Sequence, residues 1–162
     1  MNRADFESIV EEYGAKLYRY LFRFLNNKDD AEDVLQSLFM AFYSNMDNVD
    51  PQRYAAYLFR TAHNQAINYK KKRNRFIPLS DSIKEKQHSI YDIDLVAEKK
   101  ADQIRTALAK LKTQEVLAIE LQFFQKKGYR EIAEIMGLTP KAVDSMLVRA
   151  KRKLRKYLQD FR

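Results

Sequence analysis

Apolar side chains at Phe6, Ile9, Val10, Tyr13, Leu17, Leu21, Phe24 and Leu25 recur at steps of three and four. That spacing predicts an amphipathic helix over residues 6–25. Gly14 within it costs about 1 kcal/mol against alanine, little beside so long a stripe. Asp29 or Asp30 is expected to cap the next helix, whose stripe is Val34, Leu35, Leu38, Phe39 and Phe42. A polar stretch over residues 44–50 and then Pro51 separate it from a third helix, residues 52–72, with Leu58, Ala62, Ala66 and Ile67 inward. Together these form a three-helix unit over residues 1–76.

Periodicity is lost over residues 77–97, where Pro78, several serines and mixed charge point to a flexible linker. Scattered Ile77, Leu79, Ile83, Ile90 and Ile93 suggest that it lies along a partner. Helical spacing resumes with Ile104, Leu108, Leu111, Val116, Leu117, Leu121 and Phe124, and Gly128 is expected to stop that helix. The fold class that follows is all-α: two small helical domains, 1–76 and 98–162, joined by the linker.

The sharpest local pattern lies over residues 129–154. A short helix over 129–136 is followed by the turn Gly137-Leu138, then by Thr139 as N-cap and Pro140 at the first helical position. Two closely crossing helices need a small residue at the crossing, supplied by Ala133. The turn needs a residue tolerant of positive φ, supplied by Gly137. Val143 returns an apolar group to the core, completed by Ile132, Met136, Leu138 and Leu147. This is a helix-turn-helix, and the second helix of such a unit enters the major groove. Its outward side chains are expected to be Thr139, Lys141, Asp144, Ser145, Val148 and Arg149. The six basic residues from Arg149 to Lys156, Lys151 and Arg152 among them, suit phosphate contact.

Charge adds what the helices alone do not. The 30 Lys+Arg and 22 Asp+Glu of the 162 residues give a net +8, which favours a polyanionic partner. The balance is uneven: residues 1–50 carry 5 basic and 10 acidic groups, and residues 51–76 carry 7 basic and none acidic. Residues 77–100 are nearly neutral, and residues 101–162 hold 14 basic against 7 acidic groups. Two basic segments therefore suit nucleic acid, and an acidic one suits something else. In the third helix Tyr54, Tyr57, Phe59, Arg60, His63, Asn64, Tyr69 and Lys70 to Arg73 interleave rings, amides and cations, a combination that stacks and holds single-stranded bases. An alternative is that about half of these rings are core.

Other chemistry is excluded. Zero cysteines rule out a disulfide scaffold, a thiol nucleophile and a Cys-ligated zinc site. The histidines, His63 and His88, have no metal-ligand spacing, and Gly14, Gly128 and Gly137 open no phosphate-binding loop. No enzyme, catalytic residue, metal or cofactor is expected. Apolar runs of only a few residues, with no leader before Phe6, predict no membrane insertion and a cytoplasmic protein.

The block Asp30-Ala-Glu-Asp-Val-Leu-Gln-Ser-Leu-Phe39, the helix from Tyr57 to Arg73, and the segment Tyr129 to Gly137 with Arg149 to Leu154 resemble the extracytoplasmic-function (ECF) sigma factors of bacteria. The resemblance covers nearly the whole chain. It implies one domain for the promoter −10 element and one for the −35 element. It puts Asp30, Asp33 and Gln36 where the family docks on the clamp helices of the largest subunit of core RNA polymerase. The helix dipole also favours this acidic start. It further implies that the loop 45–53, with Asn45, Asp47 and Arg53, captures a base flipped from the melted −10 strand. Tyr54, Tyr57, Arg60, Asn64, Lys71, Lys72 and Arg73 would support that strand. Thr139, Lys141, Asp144, Ser145, Val148, Arg149, Lys151 and Arg152 would meet the −35 duplex. An anti-sigma factor is a further partner that the family implies.

Two positions depart from the family. Tyr57 stands where Trp is common, and Asp144 and Met146 stand where the recognition helix often carries Arg. An aspartate cannot pair with guanine O6 and N7 but accepts from cytosine N4. The rival reading, a stand-alone helix-turn-helix regulator on operator DNA, leaves the acidic block and the aromatic helix unused.

Overall fold

The computed structural model describes residues 3–76 and 95–158, with side chains over 3–73 and 100–158. Among these residues all regular structure is helical, and the chain divides into two compact units, Met1–Asp92 and Ile93–Arg162. The linker expected over 77–97 falls outside the described residues as far as 94, and helix begins again at Leu95.

In the first unit α1 spans Arg3–Leu25, α2 Lys28–Asn45 and α3 Tyr54–Phe76, each packed on the other two. Asn26 ends α1 in the left-handed region, φ 53°, with its N–H on the Phe22 carbonyl at 2.8 Å. Asparagine tolerates this conformation better than most side chains. Asn27 then turns extended, and its Oδ1 accepts the Asp30 N–H at 3.0 Å. The cap is thus Asn27, not Asp29 or Asp30. Those two aspartates fall in the first turn of α2, where the helix dipole favours their charge.

After α2 two short 3₁₀ turns, Met46–Asn48 and Pro51–Arg53, lead into α3. Asp50 Oδ1 accepts the Gln52 N–H at 3.0 Å and Pro51 presets the turn. Leu17, Tyr20, Leu21, Leu38, Phe42, Leu58 and Phe59 are fully buried at the centre. Each such aliphatic or aromatic side chain contributes about 1.5–3 kcal/mol of burial. Phe42 meets the Tyr54 ring edge-on at 5.1 Å and stacks with Phe6 at 6.2 Å, so one ring ties the start of α3, α1 and α2 together.

In the second unit α4 spans Leu95–Leu108, α5 Thr113–Ile119, α6 Tyr129–Met136 and α7 Pro140–Tyr157. The helix expected to run unbroken to Gly128 is interrupted twice. It breaks after Leu108, and α5 widens into a π turn over Glu120–Phe124, closed by the Gln125 N–H on the Glu120 carbonyl at 3.0 Å. Lys126, φ 57°, makes the reversal, while Gly128 is extended at the start of α6.

Glu115 holds this unit together at one point. Its Oε1 accepts the Lys112 N–H and the Lys153 ammonium, both at 2.8 Å, and the side chain is buried. Burial pushes the carboxyl pKa up, but the Lys153 and Lys112 bonds outweigh it and hold the group below its ordinary value. Glu115→Ala removes both a helix-start bond and the tie from α5 to α7. A loss of about 1–3 kcal/mol is expected in denaturant unfolding of the second unit. Unaltered unfolding would show that Lys153 and water replace the carboxylate at no cost.

Candidate nucleic-acid interface

The helix-turn-helix closes through the turn its residues call for. Gly137 is left-handed, φ 68° and ψ 35°, and the Leu138 N–H reaches back to the Ala133 carbonyl at 2.9 Å. A β-carbon at Gly137 would be strained at that φ. Thr139 Oγ1 accepts the Ala142 N–H at 3.1 Å, capping α7, with Pro140 in its first turn. Ile132, Ala133, Ile135, Val143, Met146, Leu147 and Ala150 are buried, while Met136 and Leu138 are only half-buried. Met146 therefore belongs to the core, so its departure from arginine concerns packing rather than base contact.

Thr139, Lys141, Asp144, Ser145, Val148, Arg149 and Arg152 are all exposed. At about 100° per residue, Lys141, Asp144, Ser145, Val148, Arg149 and Arg152 lie within about 140° of the α7 circumference. Lys151 is half-buried, with its ammonium 5.4 Å from the Phe123 ring centroid. That cation–π contact holds it at the edge of the stripe.

On α3 the basic and amide residues separate cleanly. Arg60, Asn64, Asn68, Lys71 and Lys72 are exposed, and with half-buried Tyr57 they share a sector of about 120°. Asn68 was not singled out from the sequence, although it falls four residues after Asn64 and four before Lys72. Tyr54 does not join them: it is buried against Phe42 and anchors the loop. Phe59 is buried as well. Asn45, Asp47 and Arg53 are exposed on the loop. Asn45 donates to the Tyr57 hydroxyl and accepts from Asn48 Nδ2, each at a long 3.4 Å.

Asp33 and Gln36 stand exposed on α2, whereas Asp30 is turned inward. Asp30 Oδ1 accepts from the Tyr69 hydroxyl at 2.9 Å, and Oδ2 forms an ion pair with Arg73. Burial, together with the Asp33 and Asp29 carboxylates, pushes the Tyr69 phenol above its ordinary pKa, so it remains a donor. Arg73 and Asp30 thus satisfy each other within the unit.

Around Asp33 the outer face continues with residues the sequence reading passed over. Met40 and Tyr43 are exposed by 68% and 58%, one and two turns beyond Gln36. An open groove between α1 and α2 is floored by Phe6, Val10, Phe39 and Met40 and edged by Glu7, Glu11, Glu32 and Asp33. The shape suits an amphipathic helix with basic edges. Among the described residues no three His, Asp or Glu side chains converge on a metal position, and no helix is long and apolar enough to cross a membrane.

A three-helix unit with an aromatic, basic helix, followed by a helix-turn-helix, defines a helical DNA-binding protein with two separate basic stripes and one acidic face. The family model described as Sigma-70 region 2 matches residues 9–76, and that described as Sigma-70, region 4 matches residues 101–154. The chain belongs to the ECF sigma factors of the sigma-70 family.

The ECF RNA polymerase sigma factor SigM of Bacillus subtilis is 25% identical, covering 92% of each chain. SigW of the same organism is 26% identical over 96% of this chain and 89% of its own. Among solved structures, CnrH in complex with the cytosolic domain of CnrY superposes with a TM-score of 0.75 at 26% identity, covering 99% of this chain and 92% of CnrH. The sigma factor RpoE of Bartonella quintana, in complex with the anti-sigma factor NepR, has the same fold, with a TM-score of 0.76 at 23% identity and coverage of 98% and 99%.

Proposed function

We propose that the chain binds core RNA polymerase through the outer face of α2 and directs it to promoters, reading the −35 duplex with α7 and the melted −10 strand with α3 and its preceding loop. The observation that carries this reading is the division of surface charge and chemistry. Asp33, Gln36, Met40 and Tyr43 make an acidic, apolar-edged face on α2, while Arg60, Asn64, Asn68, Lys71 and Lys72 make a cationic, amide-rich stripe on α3. Clamp helices of the largest polymerase subunit fit the first, and an unpaired strand fits the second.

Residues 1–76 would then form the polymerase and −10 domain, and residues 98–162 the −35 domain. Alone, the chain is expected to bind promoter DNA weakly, because the polymerase aligns the two reading surfaces. The protein acts in the cytoplasm, where the polymerase is, and has no catalytic step of its own. An anti-sigma protein is a further expected partner, as NepR is for RpoE of Bartonella quintana.

The test is transcription by core polymerase on a genomic promoter pool, with and without the chain. New start sites that share a −35 and a −10 element are expected. Their absence, with operator binding by the free chain, would instead identify a stand-alone helix-turn-helix regulator.

Lys71→Ala with Lys72→Ala removes two exposed cations and leaves Arg73 on Asp30. Holoenzyme binding to a recovered promoter should weaken, and the salt slope should fall by up to about 0.9 per lost phosphate contact. An identical slope would place both lysines away from the backbone.

A further inference from the structure

Asp30 lies between two surfaces that the reading above gives to different partners. It occupies the first turn of α2, one turn before Asp33, yet its carboxylate points into the seam with α3. There it meets the Tyr69 hydroxyl through Oδ1 and the Arg73 guanidinium through Oδ2. Beside them the Lys70 ammonium lies 4.3 Å from the Phe24 ring centroid. Residues 69, 70 and 73 therefore face α1 and α2, and Lys71 and Lys72 between them face outward.

Four consecutive cations at the end of one helix suit its dipole but repel one another. Pairing Arg73 with a carboxylate relieves part of that repulsion and pins the turn that carries Lys71 and Lys72. Without the carboxylate charge, a partly buried guanidinium loses its counter-charge, and the end of α3 loses one of its ties to α2.

We propose that Asp30 is a positioning residue for promoter binding, acting through Arg73 to fix the α3 cations, and not a polymerase contact. The proposal rests on the reading of α3 as the −10 surface. It reassigns two residues at once: Asp30 leaves the polymerase face, and Arg73 leaves the phosphate-binding set.

The experiment is a double-mutant cycle in the full chain, with two readouts: affinity for core polymerase, and affinity of the assembled holoenzyme for a promoter duplex recovered from the pool. Asp30→Asn keeps an oxygen for Tyr69 and removes only the charge opposite Arg73. D30N and R73Q should each weaken promoter binding by about fivefold, and the double variant should be no weaker than either. Core affinity should be unchanged in all three. Thermal melting of each variant separates loss of fold from loss of position, and Tyr69→Phe, which removes only a hydroxyl, gives a milder second probe of the same seam.

Multiplying losses in the double variant, or a loss in R73Q with none in D30N, would put Arg73 on the phosphates and overturn the proposal. So would a drop in core affinity for D30N matching that of an Asp33 variant. If Lys71→Ala with Lys72→Ala leaves promoter binding untouched, the reading of α3 itself falls. That result is separate from a silent D30N beside active lysine variants.

Discussion

Asp33→Arg combined with Gln36→Arg is expected to lower the affinity of the chain for core polymerase by about a hundredfold, with no change in thermal stability. Both side chains are exposed on α2 and belong to none of the packing that holds the three helices together. Their replacement leaves the core intact. The magnitude follows from the kind of contact: a close interfacial charge or hydrogen-bonding group is worth about 2–5 kcal/mol when it is inverted or lost. Two arginines would also reverse the charge of that face, which adds to the loss if its acidity is what the partner recognises. Titration of labelled core polymerase with the two chains measures the effect. Equal affinities would move the docking face off α2. Met40→Ser probes the apolar end of that face and should cost about tenfold, since a methionine exposed by 68% adds little to the fold.

The three helices of the first unit and the helix-turn-helix were legible in the sequence, because steps of three and four report a buried face whatever the neighbours are, but the break between α4 and α5 was not. Helix ends were less so. Asp29 and Asp30 have the residue type of a cap, but Asn26 and Asn27 precede them and do both jobs: Asn26 takes the left-handed residue and Asn27 the N-cap. The π turn at Glu120–Phe124 shifts the register by one residue and turns Phe123 and Phe124 out to the surface, by 47% and 41%. Periodicity counted at a fixed step places Phe124 inward, since a locally widened turn leaves no mark in the pattern.

The site divides in the same way. On α7 every expected base-facing residue is exposed, because capping by Thr139 and the left-handed Gly137 set the phase of the helix. On α3 the residue types were informative and the phase was not. Tyr54, Tyr57, Arg60 and Arg73 have equally suitable chemistry, yet Tyr54 packs on Phe42 and Arg73 on Asp30. A cation four residues after a tyrosine looks like part of a DNA stripe. That it shares a carboxylate with that tyrosine depends on a residue 39 positions away. Asn68 could have been found by extending the 60, 64, 72 spacing.

His63 sets the second large expectation, which concerns acid. It is buried on α3, within 2.6 Å of the Tyr20 hydroxyl through Nδ1, between the rings of Tyr20 and Phe24. Burial lowers its pKa from 6.5 to about 4, since nothing in that apolar setting favours the imidazolium. The unfolded chain therefore takes up a proton between pH 6.5 and 4 that the folded unit refuses. Stability from this group is complete above pH 6.5 and declines as pH falls through that window, by about 3 kcal/mol in all. That is a large part of what a small domain possesses. Urea unfolding of the first unit at pH 7.5, 6, 5 and 4 should show the midpoint dropping steeply below pH 6. His63→Phe with Tyr20→Phe removes both polar groups together and keeps the ring volume close, so it should flatten the fall between pH 6 and 4. A double variant as acid-sensitive as the parent would assign the effect to the carboxylates instead.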